Sequence, residues 1–525
     1  MIFHRRTKEV DMHQDNDIPE FKFEPSESIL QNLKLIPTNE KLTAAAGLGT
    51  LIEIFDQSGL KQDFIKCLPE RKSPRSQGSY RMALNMIAGF IYGFDSLDDF
   101  DDFDKEEGIK ALFGEGSPKG RTLGDFLRDF DEDHLLKLNQ FLSKQSYAMM
   151  RSLQNNLPEE YKPKHLTLDI DSTSHIQSGN KIEGVAWNYK KEWCLDTQEI
   201  FNQLGFCHSY DLRPGNTKSG VGAAEQVATA LMDARTPRER RLQGDVFVRG
   251  DSAYCYQEMI KEVSSRGVLF SFTAHDGTTG WKDQMDQEYL NWQPWIYSEE
   301  ELKKAEARKM TLPTIDVAHF YWTPKWSKKE DKKLVFPIVI KRTLDKNKSE
   351  EFRRKNEQIS MFHDDGYMKD DPYDYYAVVT NFPLNTATEK IIQSDSESKM
   401  KRYSPQEVIQ HHQKRGNMEN FIREDKNAYD LKHFPCLKLG ANHAYAMLAM
   451  VSHNLLRWVA LMMKPEKPHF AKKLRKRFVF AAGKVIKHAG ALYLKIVAHG
   501  FKEVSRLREA WGFTPAKIPS QYSTA

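Results

Sequence analysis

Residues His165–Thr173, which read HLTLDIDST, decide the fold. Their three apolar residues alternate with polar ones, and this period of two is typical of a β-strand with one buried face. The pattern predicts a strand that carries Asp169 and Asp171 on one face and ends close to Asp171. An unpaired carboxylate is costly on a short apolar strand, so each aspartate is either structurally paired or functional.

The segments that follow continue an α/β pattern. Strand-like runs at 199–206 and 207–212 precede a helical run at 223–234, and DVFVR at 245–249 predicts another strand that ends at Gly250-Asp251. A helix at 256–266 and a strand at 268–273 come next. Strands followed by a strand–helix–strand unit indicate an α/β sheet. Ligands bind at strand ends of such sheets, so Asp251 joins Asp171 as a candidate functional residue.

A helix predicted at 405–427 carries a third candidate carboxylate. One face of this segment, SPQEVIQHHQKRGNMENFIREDKN from position 404, collects polar side chains at three- and four-residue spacing, namely His412, Arg415, Glu419, Arg423 and Lys426. This stripe fits plain salt bridges along a helix. It fits equally well a metal-binding glutamate framed by groups that hold DNA phosphates.

Three of these segments resemble the DDE transposases of bacterial insertion sequences, in the group with a Tyr-x2-Arg-x3-Glu-x6-Lys signature. The matching elements are DIDST at 169–173, RGDSAY at 249–254 and HQKRGNMENFIREDK at 412–426. Arg415, Glu419 and Lys426 fit the signature, whereas His412 stands at the tyrosine position. The resemblance spans residues 164–463. It implies an α/β, ribonuclease H-like catalytic core with Asp171, Asp251 and Glu419 as its acidic triad.

The same resemblance implies metal-dependent DNA cleavage and strand transfer. Asp169 shares a strand face with Asp171, and we choose Asp171 because the Ser-Thr after it resembles the family's first element. Three carboxylates without a Cys/His cluster suit Mg²⁺ or Mn²⁺, and two such ions can serve both the attacking and the leaving oxygen of a phosphodiester. We expect His412, Arg415, Arg423 and Lys426 to contact phosphates. The expected partner is double-stranded DNA, at element ends and target, bound by a homodimer.

The charge distribution gives a second indication of a polyanionic partner. The whole chain carries a net charge of +4, but residues 464–509 hold 13 Lys/Arg and 3 Asp/Glu, a net of +10. A basic region on a nearly neutral protein is a common footprint of nucleic-acid binding, and a solvated basic helix face is the alternative. We expect phosphate contacts from five residues of this region, namely Lys472, Lys473, Arg475, Lys476 and Arg477.

Composition excludes several other classes of protein. A chain of 525 residues with 40% hydrophobic and 29% charged residues is neither disordered nor fibrous. Its five cysteines form no CxxC pair, which argues against a zinc knuckle or a disulfide framework and favours the reducing cytoplasm. The most apolar stretch, 441–463, is interrupted by Asn442, His453 and Arg457 among others, so we expect no membrane span.

We expect five regions along the chain. An N-terminal helical region at 1–160 binds DNA ends, the core occupies 161–274 and 401–464, a β-rich insertion occupies 275–400, and a basic region follows at 465–525. The insertion holds five of the nine tryptophans. Most of them are expected to pack in its core or on the catalytic sheet. The sharper hypothesis is that one of them stacks on an unpaired base.

Three other functions fit parts of the sequence. These are a DNA-binding protein that has lost catalysis, a carboxylate-pair hydrolase such as a glycosidase with the tryptophans as a sugar platform, and a metal-dependent nuclease without strand transfer. The cationic stripe beside Glu419 and the basic C-terminal region favour phosphate over sugar. Only the joining of a 3′-OH end to a second DNA separates the transposase from the nuclease.

Overall fold

The computed structural model describes residues 37–71, 77–113, 116–232, 234, 245–287, 290–329, 333–345, 350, 372–385, 401–488 and 491–511. Two units are distinguished, residues 1–40 and residues 41–525. All helices and strands of the described residues lie in the second unit.

Helices dominate the first part of this unit. A two-residue strand β1 (Leu42–Thr43) precedes helices α1 (Ala46–Asp56), α2 (Lys61–Ile65), α3 (Ser79–Tyr92), α4 (Glu107–Phe113), α5 (Gly120–Leu127) and α6 (Glu132–Asn156), with 3₁₀ turns at Asp98–Lys105 and Glu159–Tyr161. Helix α3 ends at Gly93, whose φ of 116° suits a residue without a side chain. Helix α6 begins where the Asp131 carboxylate accepts a hydrogen bond from the His134 amide at 2.9 Å.

The main β-sheet follows. Its elements are β2 (Leu166–Ile176), β3 (Ala186–Trp187), β4 (Trp193–Asn202), β5 (Cys207–Pro214), α7 (Ala223–Leu231), β6 (Val246–Gly250), α8 (Gln257–Ser265) and β7 (Leu269–Thr273). The five main strands are ordered β5-β4-β2-β6-β7, antiparallel across β5-β4-β2 and parallel across β2-β6-β7. This is the ribonuclease H-like order, so the predicted fold class is confirmed. Strand β2 continues to Ile176, beyond the predicted end near Asp171, because β4 pairs with its full second half.

The insertion extends this sheet. It contributes α9 (Asp276–Thr279), α10 (Trp281–Gln287), β8 (Gln293–Pro294), α11 (Glu299–Ala307), β9 (Ile315–Trp322), β10 (Phe336–Leu344) and β11 (Tyr373–Thr380), with a 3₁₀ turn at Ser327–Lys329. Strand β11 pairs antiparallel with β7, and β10, β9 and β8 follow outward. The described strands of the insertion therefore continue the main sheet beyond β7 and do not form a sheet of their own.

The tryptophans of the insertion lie against this sheet. Trp281 and Trp322 are 4% and 5% exposed and belong to a core that also contains strand residues of β2, β6 and β7. Trp292 and Trp326 are half-buried against the same core, and Trp295 packs against the core on the other face. The expectation that most of these rings are structural is confirmed, and base stacking by one of them stays a prediction.

Helices complete the unit. The predicted helix at 405–427 is two helices, α12 (Pro405–Gln413) and α13 (Met418–Ala428), joined by a 3₁₀ turn at Lys414–Asn417. A capping box of Ser404 and Glu407 starts α12. The following helices and strands are α14 (Leu439–Met463), α15 (Ala471–Leu474), which continues through a wide turn at Arg475–Val479, β12 (Gly483–His488), β13 (Ala491–Ile496) and α16 (Ala498–Ala510). Strand β12 pairs with both β1 and β13.

Helix α14 is the centre of the largest core. It is apolar enough and, at 25 residues, long enough to cross a membrane, with a mean hydropathy of 1.3 in its most apolar window. However, 94% of that window is buried inside the protein. Side chains from α1, α3, α5, α6 and the C-terminal helices pack in the core that contains α14. Its apolar residues are therefore explained by packing within the protein.

Candidate active site

Two of the candidate aspartates lie side by side on neighbouring parallel strands. Strands β2 and β6 pair in a register that sets Ile170 opposite Gly250. The residues that follow these two, Asp171 and Asp251, therefore lie next to each other across the two strands. The Asp251 carboxylate accepts a hydrogen bond from the Ala253 amide at 2.8 Å, which fixes it at the start of a short 3₁₀ turn. Burial raises the pKa of Asp171, Arg415 opposes that rise, and the negative charge of Asp251 adds to it.

Arg415 links the turn between α12 and α13 to this pair of aspartates. Its Nη1 donates to Asp171 Oδ2 at 2.9 Å, and the two side chains are 20% and 18% exposed. Burial lowers the pKa of Arg415, but the negative charges of Asp171 and Asp251 raise it above its ordinary value. A guanidinium here offsets part of the cost of keeping Asp171 ionised, which comes first from burial and then from the neighbouring charge of Asp251.

Glu419 and Asp171 line one cleft. The cleft has a volume of about 370 Å³ and is lined by Asp171, Ser172, Thr173, Glu419, Ile422, Arg423, Lys426, Asn427 and Lys432. Glu419 is exposed on the first turn of α13. Asp251 does not line this cleft but lies beside Asp171 on the neighbouring strand. The structure thus places Asp251 beside Asp171 and brings Glu419 to the cleft that Asp171 lines, together with four cationic side chains, Arg415, Arg423, Lys426 and Lys432.

His412, the first residue of the predicted stripe, is buried and hydrogen-bonded within the protein. His412 is 1% exposed, and its two ring nitrogens lie 3.0 Å from Ser271 Oγ and 3.1 Å from Thr273 Oγ1 of β7. Burial lowers the pKa of His412 to about 3, so the ring is neutral. His412 therefore joins α12 to the sheet. The prediction that His412 contacts a DNA phosphate is wrong, because its ring is buried and bonded to β7.

Lys426 and Arg423 flank the cleft in different ways. Lys426 Nζ donates to Thr173 Oγ1 at 2.6 Å and to the Ser174 carbonyl at 2.8 Å, which ties α13 to β2 two residues beyond Asp171. Burial lowers the pKa of Lys426. Arg423 is exposed and donates to Asn420 Oδ1 at 2.6 Å. Arg423 is consequently better placed to meet a phosphate than Lys426.

The basic C-terminal residues divide by burial. Lys472, Lys473, Lys476 and Arg477 are exposed on one side of α15 and the turn that continues it. Arg475 is 7% exposed, and its guanidinium donates to the carbonyls of Phe90 at 2.7 Å and Ile91 at 3.1 Å, at the C-terminus of α3. Arg475 thus stabilises a helix end, where cations are favoured, and is not part of the exposed basic face.

Sequence reasoning missed the partner of Asp169. Arg249 of β6 forms a bidentate pair with it, at 2.5 Å and 2.7 Å, and the two side chains are each 3% exposed. Burial raises the pKa of Asp169, and Arg249 opposes the rise. The available signal was Arg249 itself, which precedes Gly250-Asp251 on a strand otherwise apolar.

A pair of buried carboxyl groups behind the cleft was also missed. Glu199 of β4 is the direct cross-strand neighbour of Asp171, and its Oε1 accepts from Thr197 Oγ1 at 2.8 Å. Asp425 of α13 interacts with Glu199. Burial raises the pKa of Glu199 to about 7, and burial together with the Glu199 charge raises that of Asp425 well above its ordinary value. The interaction between Glu199 and Asp425 thus joins α13 to the sheet.

The donor set fits hard divalent cations. Carboxylate oxygens without sulfur or imidazole are the ligands of Mg²⁺ and Mn²⁺. Among the residues that the structure describes, no three His, Cys, Asp or Glu side chains are already close enough to hold one ion together. Asp171 instead pairs with Arg415, so metal binding would require the carboxylates to draw closer.

A mixed sheet in this order, with paired aspartates on its central strands and a glutamate on helix α13, defines a ribonuclease H-like nucleic-acid-processing enzyme. The family model described as "Transposase DDE domain group 1" matches residues 31–305 and 386–509. The chain therefore belongs to this family of DDE transposases. Its activity is DNA transposition by metal-dependent DNA cleavage and strand transfer, and DDE transposases use divalent metal ions.

One solved structure with which the chain was compared is described as a "pre-cleavage Mos1 transpososome". It is 10% identical over 46% of this chain and 73% of that chain, with a TM-score of 0.16. A comparison with curated proteins found no significant match.

Proposed function

We propose that Asp171, Asp251 and Glu419 are the catalytic carboxylates, that they bind two Mg²⁺ or Mn²⁺ ions, and that the protein acts as a homodimer on element ends and target DNA in the bacterial cytoplasm. The observation that carries the proposal is the register of β2 and β6, which sets two aspartates level on adjacent strands, with Glu419 lining the same cleft as the first. Asp169 is a weaker choice because Arg249 neutralises it in the interior.

Bound divalent ions would supply activation of an attacking oxygen and stabilisation of the leaving oxygen. The chain itself holds the reacting groups in place. Arg415 keeps Asp171 positioned against the repulsion of Asp251, and its bond to Asp171 uses one guanidinium nitrogen, so other N–H groups stay available for a phosphate. Arg423 and Lys432 line the cleft and hold the phosphates on either side of the scissile bond.

The reaction has two successive displacements at phosphorus. In the first, a water oxygen forms a bond to phosphorus and the bond to the 3′ oxygen breaks, which leaves a free 3′-OH. In the second, that 3′-OH forms the new bond to a target phosphate and displaces the target's 3′ oxygen. No covalent bond to the protein is needed in either step.

DNA outside the cleft contacts two further regions in this proposal. The exposed face of Lys472, Lys473, Lys476 and Arg477 contacts the phosphate backbone, which gives sequence-independent affinity. The N-terminal region, residues 1–160, recognises the element ends; its described part is mainly helical from α1 onward. Arg475 and His412 are excluded from the DNA-contacting set because both are buried and bonded to protein oxygens.

The test uses Asp171→Asn, Asp251→Asn and Glu419→Gln on a supercoiled plasmid that carries the DNA flanking the gene. Each amide keeps the size of the side chain but removes the charge that a metal ion needs. We expect each variant to lose nicking and joining while DNA binding, measured by gel shift, is retained. Glu299→Gln, an exposed glutamate on α11, is the matched control and should act like the wild type.

Two outcomes would contradict the proposal. Wild-type nicking without any joined product would indicate a nuclease without strand transfer. Nicking that survives Glu419→Gln or Asp251→Asn at full rate would show that the carboxylates gathered here are not the catalytic set.

A further inference from the structure

An exposed aromatic turn extends the sheet on the side of the catalytic cleft. We name residues 186–193 the aromatic hairpin; it consists of β3, the turn at 188–191 and the start of β4. Trp187 is 63% and Tyr189 is 89% exposed, which is unusual for rings of this size. The Trp187 ring lies 5.4 Å from the Trp193 ring, and Lys190 Nζ lies 5.5 Å from the centre of the Tyr189 ring.

The hairpin is held in a defined conformation. Asn188 Oδ1 accepts hydrogen bonds from the amides of Lys190 and Glu192, both at 2.9 Å, and the Asn188 amide donates to the Glu192 carbonyl at 3.0 Å. Such bonds fix the turn without help from the two exposed rings. The rings are thus presented on a rigid support and are not needed to build it.

Lys191 adopts a left-handed backbone conformation, which lysine rarely adopts. Its φ is 61°, in the left-handed region that glycine and asparagine adopt most easily in hairpin turns. A lysine there carries a conformational cost that glycine would avoid. Lys191 is exposed on the turn, beside Lys190 and the Tyr189 ring.

The hairpin is continuous with the catalytic cleft. Glu192 Oε2 accepts from Ser174 Oγ and from Asn188 Nδ2, each at 2.7 Å, and the Ser174 carbonyl is bound by Lys426 of the cleft. Gln177 begins the loop that leads from β2 to the hairpin. Its Nε2 donates to the carbonyl of Lys432, a residue that also lines the cleft. A DNA strand that leaves the cleft on this side therefore meets the hairpin next.

We propose that the aromatic hairpin is a binding platform for unpaired DNA, with Trp187 and Tyr189 stacking on bases and Lys190 and Lys191 contacting phosphates of the strand that passes the catalytic cleft. Aromatic rings interleaved with cations are the recurring device for single-stranded nucleic acid, because every base has a flat face and every nucleotide a phosphate. This inference rests on the proposed function, since it takes the cleft to hold the scissile phosphate. Charge favours DNA over a second copy of this nearly neutral chain.

The experiment measures binding of a fluorescent-labelled oligo(dT) of twelve nucleotides to the full chain by anisotropy, without divalent metal. Trp187→Ala and Tyr189→Ala should each weaken binding by about 5-fold to 150-fold, the range expected for loss of one stacked base. Glu299→Gln, outside both the hairpin and the cleft, should bind the oligonucleotide like the wild type. Because the assay contains no divalent metal and measures no cleavage, failure of the hairpin and failure of the catalytic assignment give different results.

Lys191→Gly gives the sharper comparison. It removes a charge and relieves the left-handed strain, so we expect weaker oligo(dT) binding together with an unchanged or higher melting temperature. Lys309→Gly is the matched control, because Lys309 is also exposed, also has a positive φ of 52°, and lies between β8 and β9 at the opposite edge of the sheet. It should shift the melting temperature in the same direction and leave binding unchanged.

Three results would overturn the proposal. They are wild-type protein that does not bind oligo(dT), hairpin variants that bind it as tightly as the wild type, and equal losses of binding in Lys191→Gly and Lys309→Gly. Light scattering identifies the competing occupant: hairpin variants that lose dimerisation but bind oligo(dT) normally would assign the surface to a second copy of the chain.

Discussion

Replacing Asp169 by asparagine should separate the stability of the catalytic sheet from its chemistry. Asp169 and Arg249 are each 3% exposed and are joined by contacts of 2.5 Å and 2.7 Å. Removing one member of a buried ion pair costs about 3–5 kcal/mol, because the remaining charge loses its counter-charge while water stays excluded. We expect Asp169→Asn to lower the free energy of unfolding by about this amount, and folded Asp169→Asn to retain most of its DNA nicking.

Asp316→Asn is the matched control for this change. The Asp316–Arg342 pair also joins neighbouring strands of the sheet, at 2.9 Å, but its side chains are 19% and 23% exposed, so its loss should cost only about 1 kcal/mol. Urea denaturation gives the free energies, and nicking is measured per folded molecule. Equal destabilisation by the two variants would refute the reasoning from burial. Nicking that is lost in Asp169→Asn yet kept in Asp171→Asn would refute the choice of first catalytic aspartate.

Three further predictions concern other parts of the molecule. Glutamine at the four exposed basic positions, Lys472, Lys473, Lys476 and Arg477, should flatten the salt dependence of DNA affinity by a slope of about 0.9 per lost phosphate contact, whereas Arg475→Gln should lower the melting temperature and leave the slope unchanged. All five cysteines are buried, and burial raises their pKa values, to about 12 for Cys255, so the native protein should react with a coloured thiol reagent only as it unfolds; a fast-reacting thiol would contradict this. Because the raised pKa of Glu199 means that the folded state binds this proton more tightly, its stabilisation is present below its ordinary pKa of 4.5 and is lost as pH rises through about 7. Glu199→Gln should flatten the fall in melting temperature across that range, and parallel curves for variant and wild type would count against it.

Local patterns were sufficient to predict strands β2 and β6. The alternation in β2 and the apolar run of β6 are properties of a few consecutive residues, and the parallel pairing of two such strands places the residues after them together. The helix face that carries Glu419 follows from the spacing of side chains along α12 and α13. These local patterns place Asp171 and Asp251 together, whereas Glu419 joins them in the predicted triad through the resemblance to DDE transposases, since helix spacing alone left plain salt bridging as an equal alternative.

Burial of individual charged groups could not be predicted in this way, because it depends on residues far away in the chain. Arg475 resembles its basic neighbours in sequence, but α3, almost four hundred residues earlier, supplies the carbonyls that hold it. His412 lies in a cationic stripe, yet β7 provides hydroxyl groups that turn it inward. Glu199 became part of the site only because β4 sets it opposite Asp171.

The cationic side chains are therefore of two kinds, those bonded to oxygen atoms of the protein and those exposed to solvent. This division limits how steeply DNA affinity should fall with salt concentration. Arg249, Lys426 and Arg475 hold oxygen atoms of the protein, so they position the sheet and helices but displace few counterions from DNA. The slope of affinity against salt counts phosphates that are neutralised, and so it should be smaller than the number of basic residues in the motifs. Arg415 stands between the two kinds: its side chain is 20% exposed, and one nitrogen holds Asp171. The same guanidinium can thus hold Asp171 and, in the proposed function, also meet the phosphate at the cleft.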